Sequence, residues 1–398
     1  MTYCTTANPT KDLEVQFYTS VNQLDKEHWD SVVGTKNVYL SLDYLKAIEE
    51  GLIFYDFRYL IFYSEDNVPI GVAYCQIIKI TSADIDTRAL VKRMGGMLPQ
   101  SLINSLDLRI LICGNAFASG ENGYIFKDEI PNAVVLDSLN MAIDKIHLNA
   151  KKQGQRISIT MIKEFWPESF DKMSYLKEKG CSEINIDVNM VLTLKDDWSS
   201  FEDYLSALNS KFRTKAKQVL KKSDQLVIEE FTVESIIEKL DQIDELYNTI
   251  VDRASFSFGR LNASTLLEIK RALGENFFFN GYYRGDILIG FSTATSFEDV
   301  LDGNFIGLDY DYNQEYAVYQ RMLYDFVKHA ITIGAKQVKI GRTAEEIKSG
   351  VGALPIEMKF YAKHRNKVKN AILKPFVGNL KPNTFELRKP FKAEYYKS

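Results

Sequence analysis

The chain has 398 residues, with 49 lysines and arginines against 53 aspartates and glutamates and a formal net charge of −4. That balance carries no signal for DNA or RNA binding by bulk charge. A hydrophobic content of 45% with 26% charged residues is ordinary for a globular protein, and the length favours two domains over one core. MTYCTTANPTKDLE lacks the basic and apolar regions of a secretory signal. No apolar run approaches the roughly 18 residues of a membrane span. Cys4, Cys75, Cys113 and Cys181 are scattered without CxxC spacing. The expectation is a cytoplasmic protein with reduced cysteines and no metal site.

In chain order, YLSLDYLKAIEEG (Tyr39 to Gly51) reads as a helix. YLIFYSEDNVPIGVAYCQI (Tyr59 to Ile77) reads as strand, polar turn, strand. Extra chain from roughly Thr81 to Asn132 includes LICGNAFASGENGYIF. LNMAIDKIHLNAKKQGQRISITMI then gives a helix, a stop at Gly154 and a strand. Further on, Lys211, Arg213, Lys215, Lys217, Lys221 and Lys222 fall on one helix whose buried stripe is Phe212, Ala216, Val219 and Leu220. RLNASTLLEIKRALG is helical, and FFNGYYRGDILIGFSTATS (Phe278 to Ser296) is another strand, turn and strand.

Val300 to Tyr310 alternates and reads as a strand, and Asp311-Tyr312-Asn313 as a turn. Tyr316 to Ile333 carries Val318, Met322, Phe326 and Ala330 at helical spacing, with Leu323, Val327 and Ile331 widening the face. Gly334 ends this helix, and Gln337 to Ile340 is a short strand. A long helix between two strands is a βαβ crossover.

The second half therefore repeats the first. Ile70-Gly71 matches Ile289-Gly290, Gly154 matches Gly334, and the upstream helices correspond. The expected architecture is α/β (α+β) with two tandem domains, each a mixed sheet flanked by helices. They span 12–191 and 192–376, with a basic aromatic tail over 377–398. The two basic stretches read either as solvated surface or as the site of an anionic partner: CoA or nucleotide phosphates, or an anionic membrane surface.

Negative evidence narrows the chemistry. There is no GxxxxGK[ST], HExxH or GxSxG, and His28, His147, His329 and His364 do not cluster in sequence. A metal or triad hydrolase is disfavoured.

The duplicated plan and the C-terminal motif resemble the tandem GNAT-like N-acyltransferases, which include FemAB-like aminoacyltransferases and predicted bacterial N-acyltransferases. The residues that carry the resemblance are Glu315, Tyr319, Gln320, Ala330-Ile331, Gly334, Gly341, Glu346, Lys348, Gly352 and Pro355. It covers the second half well and the first in outline. Two features depart from the family. DYNQEYAVYQ stands where acetyl-CoA enzymes carry a glycine-rich pyrophosphate loop, and the long helical arm of some FemAB-type enzymes is missing. The resemblance implies an acyl thioester donor, acyl-CoA or acyl carrier protein, and an amine acceptor of the lipid or cell-envelope precursor type. It places the first copy as degenerate and the active site in the second.

Amide formation needs a deprotonated amine, a stabilised oxyanion and a proton for the leaving group. Lys348, in a polar loop after a buried strand, is the oxyanion or phosphate candidate, with Arg342 and Glu346 beside it. Glu315 and Tyr319, at i and i+4, would share a helix face, with Tyr319 as proton donor and Glu315 orienting it or accepting the amine proton. Gln320, Gly341 and Gly352 complete the candidate binding set. The competing reading makes Glu346 and Lys348 solvated loop residues and Tyr319 core.

Three function classes remain open. The first is a cytoplasmic thioester-dependent N-acyltransferase, with the aromatic, basic tail resting on the inner face of a membrane. The second is a FemAB-like aminoacyl-tRNA-dependent transferase acting on a peptidoglycan precursor. The third is a non-catalytic binding module.

Overall fold

The computed structural model describes residues 13–81, 107–185, 188–253, 260–371 and 384–397. Part of the extra chain expected between Thr81 and Asn132 lies outside them. The first sheet has eight strands: β1 (Glu14–Tyr18), β2 (Asp56–Tyr63), β3 (Pro69–Thr81), β4 (Asp107–Cys113), β5 (Tyr124–Phe126), β6 (Ile157–Phe165), β7 (Ser182–Ile184) and β15 (Lys359–His364). The second has seven: β8 (Val188–Thr193), β9 (Val227–Glu230), β10 (Phe277–Arg284), β11 (Ile287–Phe297), β12 (Val300–Leu308), β13 (Gln337–Lys339) and β14 (Leu354–Glu357). The spatial orders are β1-β2-β3-β4-β6-β15-β7, with β5 pairing β3, and β9-β10-β11-β12-β13-β8-β14.

Among the described residues each sheet has one parallel pair, β4 with β6 and β12 with β13. A parallel pair needs a crossover, and a long helix supplies each one: Asn132–Lys152 and Val318–Thr332. The second helix buries Val318, Met322, Leu323, Phe326, Val327 and Ala330, the stripe that the spacing predicts.

One strand crosses between the halves. β8 lies in the second sheet beside β13, while β15 returns to the first sheet beside β6. The expected division between residues 191 and 192 passes through β8, which pairs in the second sheet along its length. We place the division before Val188 and return β15 to the first unit. Sequence periodicity could not show this, because a strand's pattern does not reveal its partner sheet.

The halves also share one apolar core. The helices Leu42–Gly51 and Ala263–Leu273, one from each repeat, pack together, and a Cβ at Gly51 would overlap the Thr265 side chain. Trp29, Tyr44, Ile48 and Tyr59 belong to the same cluster as Ile243, Leu266, Phe279 and Phe291.

The tail differs from the membrane-resting segment expected of it. Phe391 is 3% exposed and packs against Trp198, Tyr204 and Tyr395. The Asn209 amide donates to the Pro390 carbonyl, and the Tyr395 hydroxyl to that of Thr193. Phe360 and Tyr361 are buried, Phe385 packs on the core, and Phe376 lies outside the described residues. Among the described residues no helix is long and apolar enough to cross a membrane. Since Phe391 fills a core position, Phe391→Ala should cost about 3–5 kcal/mol. Urea unfolding measures this. A loss below about 0.5 kcal/mol would mean that the tail is only a surface strap.

Candidate active site between the two sheets

The pairing of β12 with β13 is short: Val300 with Gln337, Leu301 with Val338, and Asp302 with Lys339. Beyond that point β12 continues along β11 to Leu308, while the other chain turns away at Gly341, a left-handed residue with φ 68°. The strands part, and the gap opens into a cavity of about 350 Å³. The corresponding end of the first sheet, where β4 and β6 separate, faces the same space with Ala116, Phe117, Lys163 and Glu164. Carboxyl ends of parallel strands are where open sheets leave room for ligands.

Polar groups are concentrated in this space. The Lys163 ammonium lies 3.1 Å from the Glu164 carboxylate, and both side chains are buried. Arg342 forms a second ion pair with that carboxylate. The Gly120 amide donates to Glu164 Oε2 at 3.2 Å. Burial holds Lys163 well below the usual lysine range, the Arg342 cation adding to the effect, and burial lowers Arg342 to about 10.

Lys348 is 5% exposed and donates to the Arg342 carbonyl at 2.5 Å. Burial brings its pKa down to about 7, opposed by the Glu345 charge. Asp302, 4% exposed, accepts the Tyr39 hydroxyl at 2.6 Å. Asn304 donates to Tyr39 at 2.9 Å and accepts from Thr295 at 2.6 Å. Burial raises Asp302 to about 6, against the Tyr39 hydrogen bond and the Lys339 charge. Asp302 and Lys348 both line the cavity.

A second cavity of about 350 Å³ lies beside the start of the Val318–Thr332 helix, lined by Lys215, Gln218, Lys222, Asn313, Tyr319 and Gln320 among others. Tyr319 lines both cavities. Its amide donates to Asn313 Oδ1 at 2.9 Å, and burial raises its hydroxyl pKa.

The structure thus brings Tyr319, Gly341, Arg342 and Lys348 to the first cavity and Gln320 to the second. It separates three others. Glu315 is exposed on a distinct helix, Tyr310–Tyr316, because Ala317 adopts a left-handed conformation and breaks the run. The i, i+4 relation to Tyr319 is lost, and the expected turn at Asp311 to Asn313 is helical. Glu346 pairs with Arg388 and lines neither cavity. Gly352, with φ 102°, makes room for Phe391, whose ring a Cβ there would overlap. Lys348 sits on a one-turn helix, Glu345–Ser349, rather than in a solvated loop.

Sequence reasoning missed Asp302, Tyr39, Lys163 and Glu164. A signal was present: VLDGNF and MIKEFW each set charge inside an apolar strand, where burial makes charge costly. The first half, expected to be silent, contributes walls and charge to the cavity. Among the described residues no cluster of side chains fits a metal ion.

No protein-family model matches the sequence, and no curated protein matches it. Solved structures do. FemX superposes with a TM-score of 0.51 at 13% identity, over 87% of this chain and 96% of FemX. L-PGS from Bacillus licheniformis gives 0.49 at 9% identity, over 88% and 95% of the two chains. A tandem GNAT protein from the clavulanic acid biosynthesis pathway gives 0.49 at 8%, over 89% and 99%. The chain has a tandem GNAT-like fold of two mixed sheets flanked by helices, shared with FemX over most of both chains. Identity this low establishes the fold alone.

Lys348 offers a test of its burial. Its folded pKa of about 7 lies below that of an unfolded lysine, about 10.4. Between those values the unfolded chain binds more protons, so folding becomes more favourable as pH rises. Lys348→Met keeps most of the stem and removes the titration. The stability of wild type relative to this variant should rise by up to about 1.4 kcal/mol per pH unit between about pH 7 and 10. Urea unfolding of both proteins across that range measures it. A pH-independent difference would show that the ammonium is solvated.

Proposed function

We propose that the chain is an N-acyltransferase. It moves an acyl group from a thioester, borne by coenzyme A or by an acyl carrier protein, to an amine. The observation that carries this reading is the first cavity, at the parting of β12 and β13, which holds a carboxyl raised to about 6 and a lysine lowered to about 7. Titratable groups displaced toward neutrality suit proton transfer.

Lys215, Lys222 and Gln320 at the second cavity would receive the donor's phosphates, close to the start of a 15-residue helix. From there the thioester arm passes Tyr319 into the first cavity. Beyond Asp302 the β12 edge that faces β13 has no strand partner among the described residues, so it offers backbone groups to the amides of a pantetheine arm. The Asp302 carboxylate takes the proton from the attacking amine. Nitrogen bonds to the acyl carbon, and the carbonyl electrons move onto oxygen beside the Lys348 ammonium. The tetrahedral centre collapses, the carbon–sulfur bond breaks, and the leaving sulfur takes a proton from Tyr319. Asp302 returns its proton to solvent and Tyr319 is reprotonated.

Apolar walls from Phe305, Ile306, Leu323 and Phe326 suit a long acyl chain or an amphiphilic acceptor such as a lipid or envelope precursor.

The test is release of free thiol from long-chain acyl-CoA with a panel of primary amines. Wild-type kcat/KM should rise through about pH 6 as Asp302 ionises. Asp302→Asn should lose about 10²-fold or more. Lys348→Met should lose about 10²-fold. Full turnover in both variants would leave the cavity without a chemical role and favour a binding module. Inactivity with thioesters, with turnover of charged tRNA, would assign an aminoacyl donor instead.

A further inference from the structure

The second cavity opens beside a surface far more basic than it needs. The helix Ser210–Lys222 carries Lys211, Arg213, Lys215, Lys217, Lys221 and Lys222 and no acid, in a chain whose net charge is −4. Its apolar stripe of Ala216 and Val219 is buried against the second unit, so the lysines face outward. Lys215 and Lys222 line the cavity with Gln218. Lys211 lies one turn from Lys215 on the same stripe, and Lys217 and Lys221 form the next stripe outward. None of those three lines either cavity. The docked tail extends the patch: Lys389 and Lys392 are exposed, and their backbone carbonyl and amide bond to Asn209 and Ala207 at the helix N-terminus.

We propose that this ridge docks an acidic carrier protein, so that the thioester arrives on a phosphopantetheine arm tethered to a protein partner. The inference rests on the acyltransferase reading above and selects between its two donors. The phosphates of free coenzyme A would be met by the cavity cations. They would leave Lys211, Lys217, Lys221 and the tail lysines with nothing to bind. The helix is about 20 Å long, the scale of a protein contact rather than of one nucleotide.

Two other anionic surfaces fit less well. A membrane would be expected to find a set of large apolar side chains among the cations, but this helix exposes none, the tail's Phe391 is buried, and Leu387 is the one exposed large hydrophobic among the described tail residues. The 3′ end of a tRNA would seek aromatic platforms, but among the described residues Tyr319 is the sole aromatic one lining the second cavity. Complementary charge at a rim steers encounter and depends on salt. In the transfer itself the carbon–sulfur bond breaks, the amide forms, and the protonated thiol stays on the carrier.

The probes are a palmitoylated acyl carrier protein and palmitoyl-CoA, and the readouts are direct binding and transfer. Wild type should bind the carrier at least about 10-fold more weakly at about 300 mM than at about 50 mM salt. The triple variant Lys211→Glu/Lys217→Glu/Lys221→Glu should bind it about 10- to 100-fold more weakly, with palmitoyl-CoA binding changed by less than about 3-fold. If charge reversal impairs folding, the corresponding glutamine triple gives the same ordering with a smaller loss. Carrier binding that is absent, or indifferent to both salt and substitution, would overturn the proposal. Equal weakening of both donors would do so too, as would wild-type preference for tRNA or phosphatidylglycerol vesicles. Charge-dependent carrier binding without transfer from either donor would sink the acyltransferase reading while keeping the docking surface.

Discussion

The contact between the helices Leu42–Gly51 and Ala263–Leu273 governs the rest of the structure. Each would be the exposed outer helix of an isolated domain. Packed together, with a glycine on one side where Thr265 presses in, they merge two sets of apolar side chains into one core. Burial at about 25 cal/mol per Å² of apolar surface makes such a shared core hard to pull apart. The return of β15 to the first sheet carries the chain back across the same boundary and adds backbone hydrogen bonds there. Inter-domain interfaces that are small and polar permit hinge motion, but this one is large in apolar content and crossed by chain.

That fixed relation has a chemical consequence. Each sheet has one place where a parallel pair comes apart, and alone each gap would be a shallow groove open to water. Holding the two ends against one another closes a cavity with a wall from each repeat. The Tyr39 hydroxyl reaches from the first half to Asp302 in the second, and the Arg342 guanidinium reaches back to Glu164 in the first. A duplicated fold can thus be chemically asymmetric: one repeat supplies the parted strands and titrating groups, and the other supplies cover and countercharge.

Much of this was legible in the sequence, and the failures have physical causes. Helical spacing located Val318–Thr332 and its buried face, and the Ile-Gly matches located β3 and β11. Local pattern could not show the break at Ala317. Alanine favours helix, and its left-handed conformation there comes from tertiary packing rather than propensity. It could not assign β8 or β15 to a sheet either, since alternation specifies a face and not a neighbour. The candidate site was half visible. Arg342, Lys348 and Tyr319 stood out as polar residues near a strand and helix end. Asp302 and Glu164 lie within strands, where alternation marks a face and not a titrating group. Gly352 was visible as a glycine, but its partner Phe391 is far off in sequence, so its packing role was not.

The directions of the pKa shifts indicate how the cavity is organised. Had Asp302 and Lys348 formed a salt bridge, the carboxyl would have moved down and the ammonium up. Both move the opposite way, to about 6 and about 7, with burial the leading cause in each case. Their immediate partners are neutral: the Tyr39 hydroxyl for one and the Arg342 carbonyl for the other. The close ion-pair contacts are made elsewhere, by Glu164 with Lys163 and Arg342, and there too burial outweighs pairing and both cations move down. Glu164 does more than balance charge. With the Arg342 guanidinium held by Glu164, the arginine carbonyl accepts from the Lys348 ammonium, and the cation that acts on Asp302 is Lys339, its neighbour across the β12–β13 ladder. Proton transfer near neutral pH needs groups poised in this way, and the cost of burying them is offset by the core that the two halves share.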